Sequence, residues 1–303
     1  MENGKIKVQG RIIEISNAEK ALYPKSKFTK GDVLDYYCAI SDIMLTHLQN
    51  RPLSFHRYPN GIEYQHFVQQ EVPHFFPKWM SRKKVVKENG YITHTICNDK
   101  KSLIYLASQA VLEFHTWLSR DDAVRNPDKM VFDLDPTSRS IEKLRKATLE
   151  MKIILENLGL QSYVMTSGSK GYHIAVPLDR KTDFRKVSEL SKKIAKFAAT
   201  QKKDIFTVQQ RKGKRGNKIF IDYFKNNYAQ TSIAPYSLRA IEGVPVATPL
   251  SWKEMNSKDI RPDKYNIKNI FRRIGQKGDP WKDIYKKGQS LKKIENHLKK
   301  AKI

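Results

Sequence analysis

Two hydrophobic spacings alternate along this chain. From Thr29 onward, TKGDVLDYYCAISDIMLTHLQ repeats apolar residues at the interval of one helix face. Thr29, three residues before Asp32, forms the start of a loose capping box, with Asp where Glu or Gln is usual. Upstream, GRIIEIS alternates as a strand does, and RPLSFHRYPNGIEYQHFVQ reads as a strand pair around a turn at Pro59-Asn60-Gly61. The run LIYLASQAVLEFHTWLS predicts a helix that carries His115.

The second half is more regular. Strand KMVFDLDP leads to helix SIEKLRKATLEMKIILENLG, closed by Gly159 as a C-cap residue, then to strand SYVMTSGSKGYHIAVPL, helix DFRKVSELSKKIAKFAAT and strand KIFIDYF. That order predicts a mixed sheet with helices on one face, an α+β fold. Near the end, SLKKIENHLKKAKI spaces Leu291, Ile294 and Leu298 among lysines, an amphipathic helix lying on the body. No long Pro/Gly/Ser linker separates the halves, so they read as two modules of one functional unit.

Composition narrows the function. The 303 residues are 39% hydrophobic, enough for a real core. Lys and Arg number 57 against 31 Asp and Glu, a net charge of +26 that suits a polyanion, nucleic acid before an acidic membrane. No apolar run approaches the roughly 20 residues of a spanning helix. MENGKIKVQGRI lacks the apolar core of a secretory signal, and Cys38 and Cys97 are too few for a disulfide framework or a zinc site. A reduced, cytoplasmic location is expected.

Against that background MVFDLDP is chemically odd, because it sets Asp133 and Asp135 in an otherwise apolar strand. Residues i and i+2 of a strand project to one face, so the two carboxylates point together, and Pro136 places them at the strand's rim. Asp222 in KIFIDYF repeats the theme. Three acids at strand ends, without a matching set of Cys or His, select hard cations such as Mg²⁺ or Mn²⁺, and two such ions would clamp the oxygens of a phosphoryl transfer. TSGSKGYHIAV offers glycines, Ser167 and Lys170 ahead of His173, a composition suited to a triphosphate and equally to a plain hairpin turn. The Walker A spacing is absent. Arg215 and Arg239 are candidate phosphate forks.

Taken in order, NAEKALYP, RPLSFHRYPNG, FDLDP, TSGSKGYHIAVPL and FIDYFKNNYAQTSIAPYSLRAIEGVPVATPLSW resemble the polymerase domain of bacterial ligase D and its stand-alone relatives in the archaeo-eukaryotic primase superfamily. The resemblance implies a primase-type core over 1–303. An N-terminal αβ module (about 1–128) would pack on an RRM-like catalytic module with mixed sheets (about 129–303) that ends in the basic helix. It implies a template-dependent nucleotidyltransferase that fills gaps and extends broken DNA ends in non-homologous end joining, preferring ribonucleotides, with two divalent ions. Asp133, Asp135 and Asp222 would hold the metal. Ser167, Lys170, His173, Arg215, Arg239, His115 and Lys225 would serve the nucleotide, Lys225 standing where some relatives have Gln. Lys20 and Lys30 match the family's lysines for a DNA 5′-phosphate. Phe67 matches one of two aromatics that stack on the template, with Val68 where the second is expected. Ku and a separate ATP-dependent DNA ligase are the implied partners, since no ligase lysine motif is visible. Two other readings use the same residues: a metal-dependent nuclease of DNA ends, and a non-catalytic DNA-end binding module.

Overall fold

The computed structural model describes residues 1–87, 90–138, 140–286 and 288–300. It falls into two compact units, each built from separated pieces of chain. The first comprises 1–122, 231–247 and 265–276; the second comprises 123–230, 248–264 and 277–303.

The first unit opens with a hairpin of β1 (Gly4–Val8) and β2 (Arg11–Ile15), followed by the short pair β3 (Ala21–Tyr23) and β4 (Phe28–Thr29). Helix α1 (Lys30–Leu48) starts at Thr29, where the capping box is complete: Thr29 Oγ1 accepts from Asp32 N and the Asp32 carboxylate accepts from Thr29 N. The shorter acid therefore closes the box as Glu would. The apolar face of α1, with Val33, Tyr37, Ile40 and Met44, is buried. Next come β5 (Leu53–Arg57), β6 (Phe67–Gln69), the β7 (Arg82–Lys87) and β8 (Gly90–Thr95) hairpin, helix α2 (Lys100–Ser108) and β9 (Val111–Trp117).

The single helix expected over LIYLASQAVLEFHTWLS is thus corrected to a helix and a strand. Gln109 caps α2, Ala110 takes a positive φ of 58°, and the aromatic and β-branched stretch VLEFHTW pairs with β5 instead of continuing the helix. His115 accordingly stands on a strand.

The second unit contains β10 (Lys129–Asp135), α3 (Ile141–Asn157), β11 (Tyr163–Thr166), β12 (Tyr172–Pro177), α4 (Phe184–Gln201), β13 (Phe206–Thr207) and β14 (Ile219–Asp222). Ser140 and Asp183 cap α3 and α4, and Gly159, at φ 75°, turns the chain out of α3. The stretch read as one strand over SYVMTSGSKGYHIAVPL is two, β11 and β12, joined by a tight loop. After Gln230 the chain returns to the first unit with β15 (Thr231–Ile233), then gives β16 (Pro249–Leu250) to the second, α5 (Ile270–Lys277), and α6 (Lys292–Lys300) to the second again.

Two sheets organise the units. In the first, a four-stranded sheet has the order β15-β9-β5-β6; in the second, a six-stranded sheet has the order β13-β14-β10-β12-β11-β16, with only β13–β14 parallel among its pairs. Helices α3 and α4 both pack on β10, and Met130, Phe132 and Leu134 of that strand are wholly buried. In the tail, Leu291, Ile294 and Leu298 are buried as their spacing predicts, and residues 301–303 lie outside the described residues. No described helix is long and apolar enough to cross a membrane.

Candidate active site

The acids meet because β10 lies between β12 and β14. Its register sets Asp133 opposite His173 on one side and opposite Asp222 on the other. Directly opposed residues of antiparallel strands share a face, and Asp135, two residues on, shares it too. Four candidates separated by as much as 89 positions of sequence (222 − 133) therefore gather on one surface of the sheet.

Their charges are unequally held. Asp133, 8% exposed, accepts on Oδ2 from His173 Nε2 at 3.2 Å and from Lys225 Nζ at 3.3 Å. Burial alone would neutralise this carboxyl, but the His173 and Lys225 contacts outweigh it and hold Asp133 well below the usual carboxylate range. Asp135 is pushed up to about 6 by burial and then by the charges of Asp133 and Asp222. Asp222 is also raised, chiefly by burial, although its Oδ1 accepts from Phe224 N at 2.8 Å. One ionised carboxylate thus faces two that resist ionising, a surface short of positive charge. An all-oxygen donor set of this kind fits Mg²⁺ or Mn²⁺.

The loop beside it is held shut by its own serine. Ser167 Oγ accepts from Ser169 N (3.2 Å) and Gly171 N (3.1 Å), and Ser167 N donates to Gly171 O. Those amides point at Ser167, and Lys170 projects exposed from the loop. Arg215 is buried: Nε and one terminal nitrogen donate to the carbonyls of Gln209 and Gln210, and its guanidinium lies 3.8 Å from the centre of the Phe220 ring, with Phe220 pairing opposite Asp135.

The remaining candidates belong to the first unit. Arg239 Nε donates to Glu113 Oε1 at 2.9 Å, and Ala240 N donates to the same oxygen. Glu113 Oε2 lies 3.3 Å from both His115 Nε2 and His56 Nδ1. Although burial opposes its charge, the two histidines and Arg239 hold Glu113 ionised far below the usual range. Burial lowers His115 to about 4, so its ring is neutral at pH 7. An ionised carboxylate only accepts, so Nε2 of His115 carries the ring proton and Nδ1 is the bare nitrogen. Neither Glu113 nor His56 stands out in the sequence. Glu113 sits two residues before His115, the one local signal, but Arg239 is 126 positions away.

Lys20 and Lys30 come together where Lys30 N donates to Lys20 O, at the entry to α1. Lys20 Nζ donates to Asn60 Oδ1, and the buried Lys30 Nζ donates to Ser16 O. Burial and then the Lys20 charge lower the Lys30 pKa, a repulsion that a bound anion would relieve. Phe67 on β6 is 51% exposed, and beside it Val68 is equally open. In FFPKW, Phe76 is core and Phe75 is exposed.

Comparison with known proteins places the chain in a family. The family described as LigD, primase-polymerase domain, matches residues 29–281. Among curated relatives, the multifunctional non-homologous end joining protein LigD of Mycolicibacterium smegmatis is 33% identical over 270 residues, covering 88% of this chain and 35% of that protein. The bifunctional LigD of Bacillus subtilis is 31% identical over 292 residues, 95% of this chain and 47% of that protein. The chain thus spans between a third and a half of the length of these relatives. Among solved structures, the polymerase domain of Mycobacterium tuberculosis ligase D in complex with DNA superposes with a TM-score of 0.85 at 30% identity, over 91% of this chain and 99% of that one.

Proposed function

The chain belongs to the LigD primase-polymerase family and is a nucleotidyltransferase, and from that premise we propose that it extends and fills broken DNA ends in non-homologous end joining, taking ribonucleotides in preference to deoxyribonucleotides. The observation that carries this reading is the register Asp222–Asp133–His173 with Asp135 two positions on, an acidic face in a chain of that family.

Asp133, Asp135 and Asp222 hold two divalent ions, Mg²⁺ or Mn²⁺. When bound, such ions stabilise charge on the attacking and leaving oxygens of the transfer. His173 and Lys225 keep Asp133 ionised and aimed from the start, whereas burial and the charges of Asp133 and Asp222 raise Asp135, a repulsion that bound cations would relieve. Lys170 binds the nucleotide's phosphates from its exposed loop, and Ser167 fixes that loop. Arg215, Arg239 and His115 serve the nucleotide as the family resemblance assigns them. Glu113 orients the last two. Catalysis then rests mainly on positioning and charge stabilisation.

Lys20 and Lys30 receive the DNA 5′-phosphate, and Phe67 stacks on a template base. The whole chain acts as one polymerase domain in the cytoplasm, on the nucleoid when bound to DNA, with Ku and an ATP-dependent ligase as partners.

The test is extension of a gapped, 5′-phosphorylated duplex with labelled NTP or dNTP. Asp133→Ala with Asp135→Ala abolishes incorporation and leaves DNA affinity intact. Retained incorporation rejects the metal assignment, and release of labelled nucleotides from the DNA in place of incorporation favours a nuclease.

A further inference from the structure

Away from the aspartates, one side-chain cluster has donors and spacing suited to a cation of a different kind. Among the described residues, His56, Glu113 and His115 are the group of His, Cys, Asp or Glu whose ligand atoms all lie within 4.8 Å of one another. Strand register builds it. His56 on β5 pairs directly with Glu113 on β9, and His115 is two residues further along β9, so all three rise from one face of the four-stranded sheet.

We propose that His56 Nδ1, His115 Nε2 and Glu113 Oε2 form a binding site for a borderline-soft divalent cation of the zinc class, made from residues of the first unit alone.

Three observations support this assignment. The first is distance: Oε2 stands 3.3 Å from each imidazole nitrogen. Bonds of about 2.0–2.2 Å from zinc to His nitrogen and carboxylate oxygen, opened at the tetrahedral angle, put neighbouring ligand atoms about 3.3–3.5 Å apart. The second is support: Glu113 Oε1 is fixed by Arg239 Nε and Ala240 N, both at 2.9 Å, so Oε2 is aimed before any ion arrives. The third is access. The Glu113 side chain is 6% exposed, but those of His56 and His115 are 22% and 18% exposed, so an ion has a route in and a fourth position is left for water.

The donor set also gives the site its own selectivity. Two imidazoles and one carboxylate favour Zn²⁺ over Mg²⁺, whereas the aspartates of β10 and β14 offer oxygen alone. Because β5 and β9 each contribute ligands, an ion there ties the two central strands of the sheet together.

The experiment titrates Zn²⁺ alone into chelator-stripped full-length protein against a chromophoric competitor, with excess Mg²⁺ to occupy the aspartates. Wild type and an Asp133→Asn, Asp135→Asn double variant are expected to bind one Zn²⁺ per chain with equal affinity, and His56→Ala to bind at least tenfold more weakly. Zn²⁺ should raise the melting temperature of the first two and not of His56→Ala. The proposal is overturned if the aspartate variant loses the zinc, if His56→Ala keeps it, or if wild type binds less than one equivalent. Should His56→Ala fail to fold, Co²⁺ bound to wild type decides: the intense visible absorption of a four-coordinate nitrogen and oxygen site supports the assignment, and the pale spectrum of an octahedral ion overturns it. The outcome is independent of whether the chain polymerises, since no step reads activity.

Discussion

Gly171 closes the loop between β11 and β12, and no other residue fits there. A Cβ on Gly171 would lie 2.5 Å from the carbonyl oxygen of Leu134 and 3.5 Å from Asp133 Oδ1. Ordinary contacts begin near 3.4 Å, so the overlap with the Leu134 oxygen is 0.9 Å (3.4 − 2.5). That oxygen belongs to the buried central strand and cannot turn aside as a flexible side chain would. In Gly171→Ala the loop must therefore lift, straining Ser167 Oγ···Gly171 N and Ser167 N···Gly171 O, which are 3.1 and 3.0 Å in the native fold. Overpacking costs about 1–3 kcal/mol, and weakening one loop hydrogen bond adds about 1 kcal/mol. The expected loss is about 2–4 kcal/mol, roughly a 30- to 1,000-fold change in the folding equilibrium. Urea unfolding reads it as a lower midpoint at an unchanged slope. Gly213→Ala is the control, because a Cβ there meets nothing within 4 Å. Extension should fall further than the folded fraction does, since Lys170 rides on the lifted loop. A Gly171→Ala midpoint equal to that of Gly213→Ala refutes the reasoning.

Three further outcomes are expected. Glu113→Gln removes the charge shared by Arg239, His115 and His56; stability drops by about 2 kcal/mol, the order of a broken charged hydrogen bond, and an unshifted urea midpoint contradicts the anchoring role. His94 is buried, donates from Nδ1 to Leu53 O, and has its pKa lowered chiefly by that burial, so below about pH 6.5 the unfolded chain takes up a proton that the fold resists. Stability therefore falls as the pH is lowered from 7.5 to 5.5, and His94→Gln flattens that fall; equal pH dependence in both proteins argues against it. DNA affinity declines steeply with salt, and Lys20→Ala lowers the slope of log affinity against log salt by about 1 on 5′-phosphorylated ends only, as measured by fluorescence anisotropy. An equal change on ends without the phosphate removes Lys20 from that role.

Much of this was legible in the sequence where a local rule governs. The cap at Thr29 set the start of α1, Gly159 the end of α3, and alternation plus Pro136 fixed Asp133 and Asp135 on one face at a strand's rim. Where two rules gave the same pattern, reading failed. LIYLASQAVLEFHTWLS satisfies helical spacing throughout, and the break falls at Ala110, which carries neither the glycine nor the proline that marks a turn. Pairing of VLEFHTW with β5 decided the matter, a tertiary contact invisible in a window of residues. Glu113 escaped notice for a similar reason, because an acid in a strand announces no purpose until its distant partners are in place. Lys30 shows the converse: its charge was plain, but the buried ammonium bonded to Ser16 O was not.

The pairing of β10 with both of its neighbours carries a consequence for how this protein fails. A slide of one residue along either ladder would turn the acids of one strand away from those of the other, yet would leave apolar side chains to fill much the same space. Molecules mis-threaded in that way would look sound by circular dichroism or compactness while being chemically mute. Specific activity per folded molecule is therefore a measure of strand alignment, and preparations that differ in it without differing in spectrum should separate by hydrogen exchange along Lys129–Asp135.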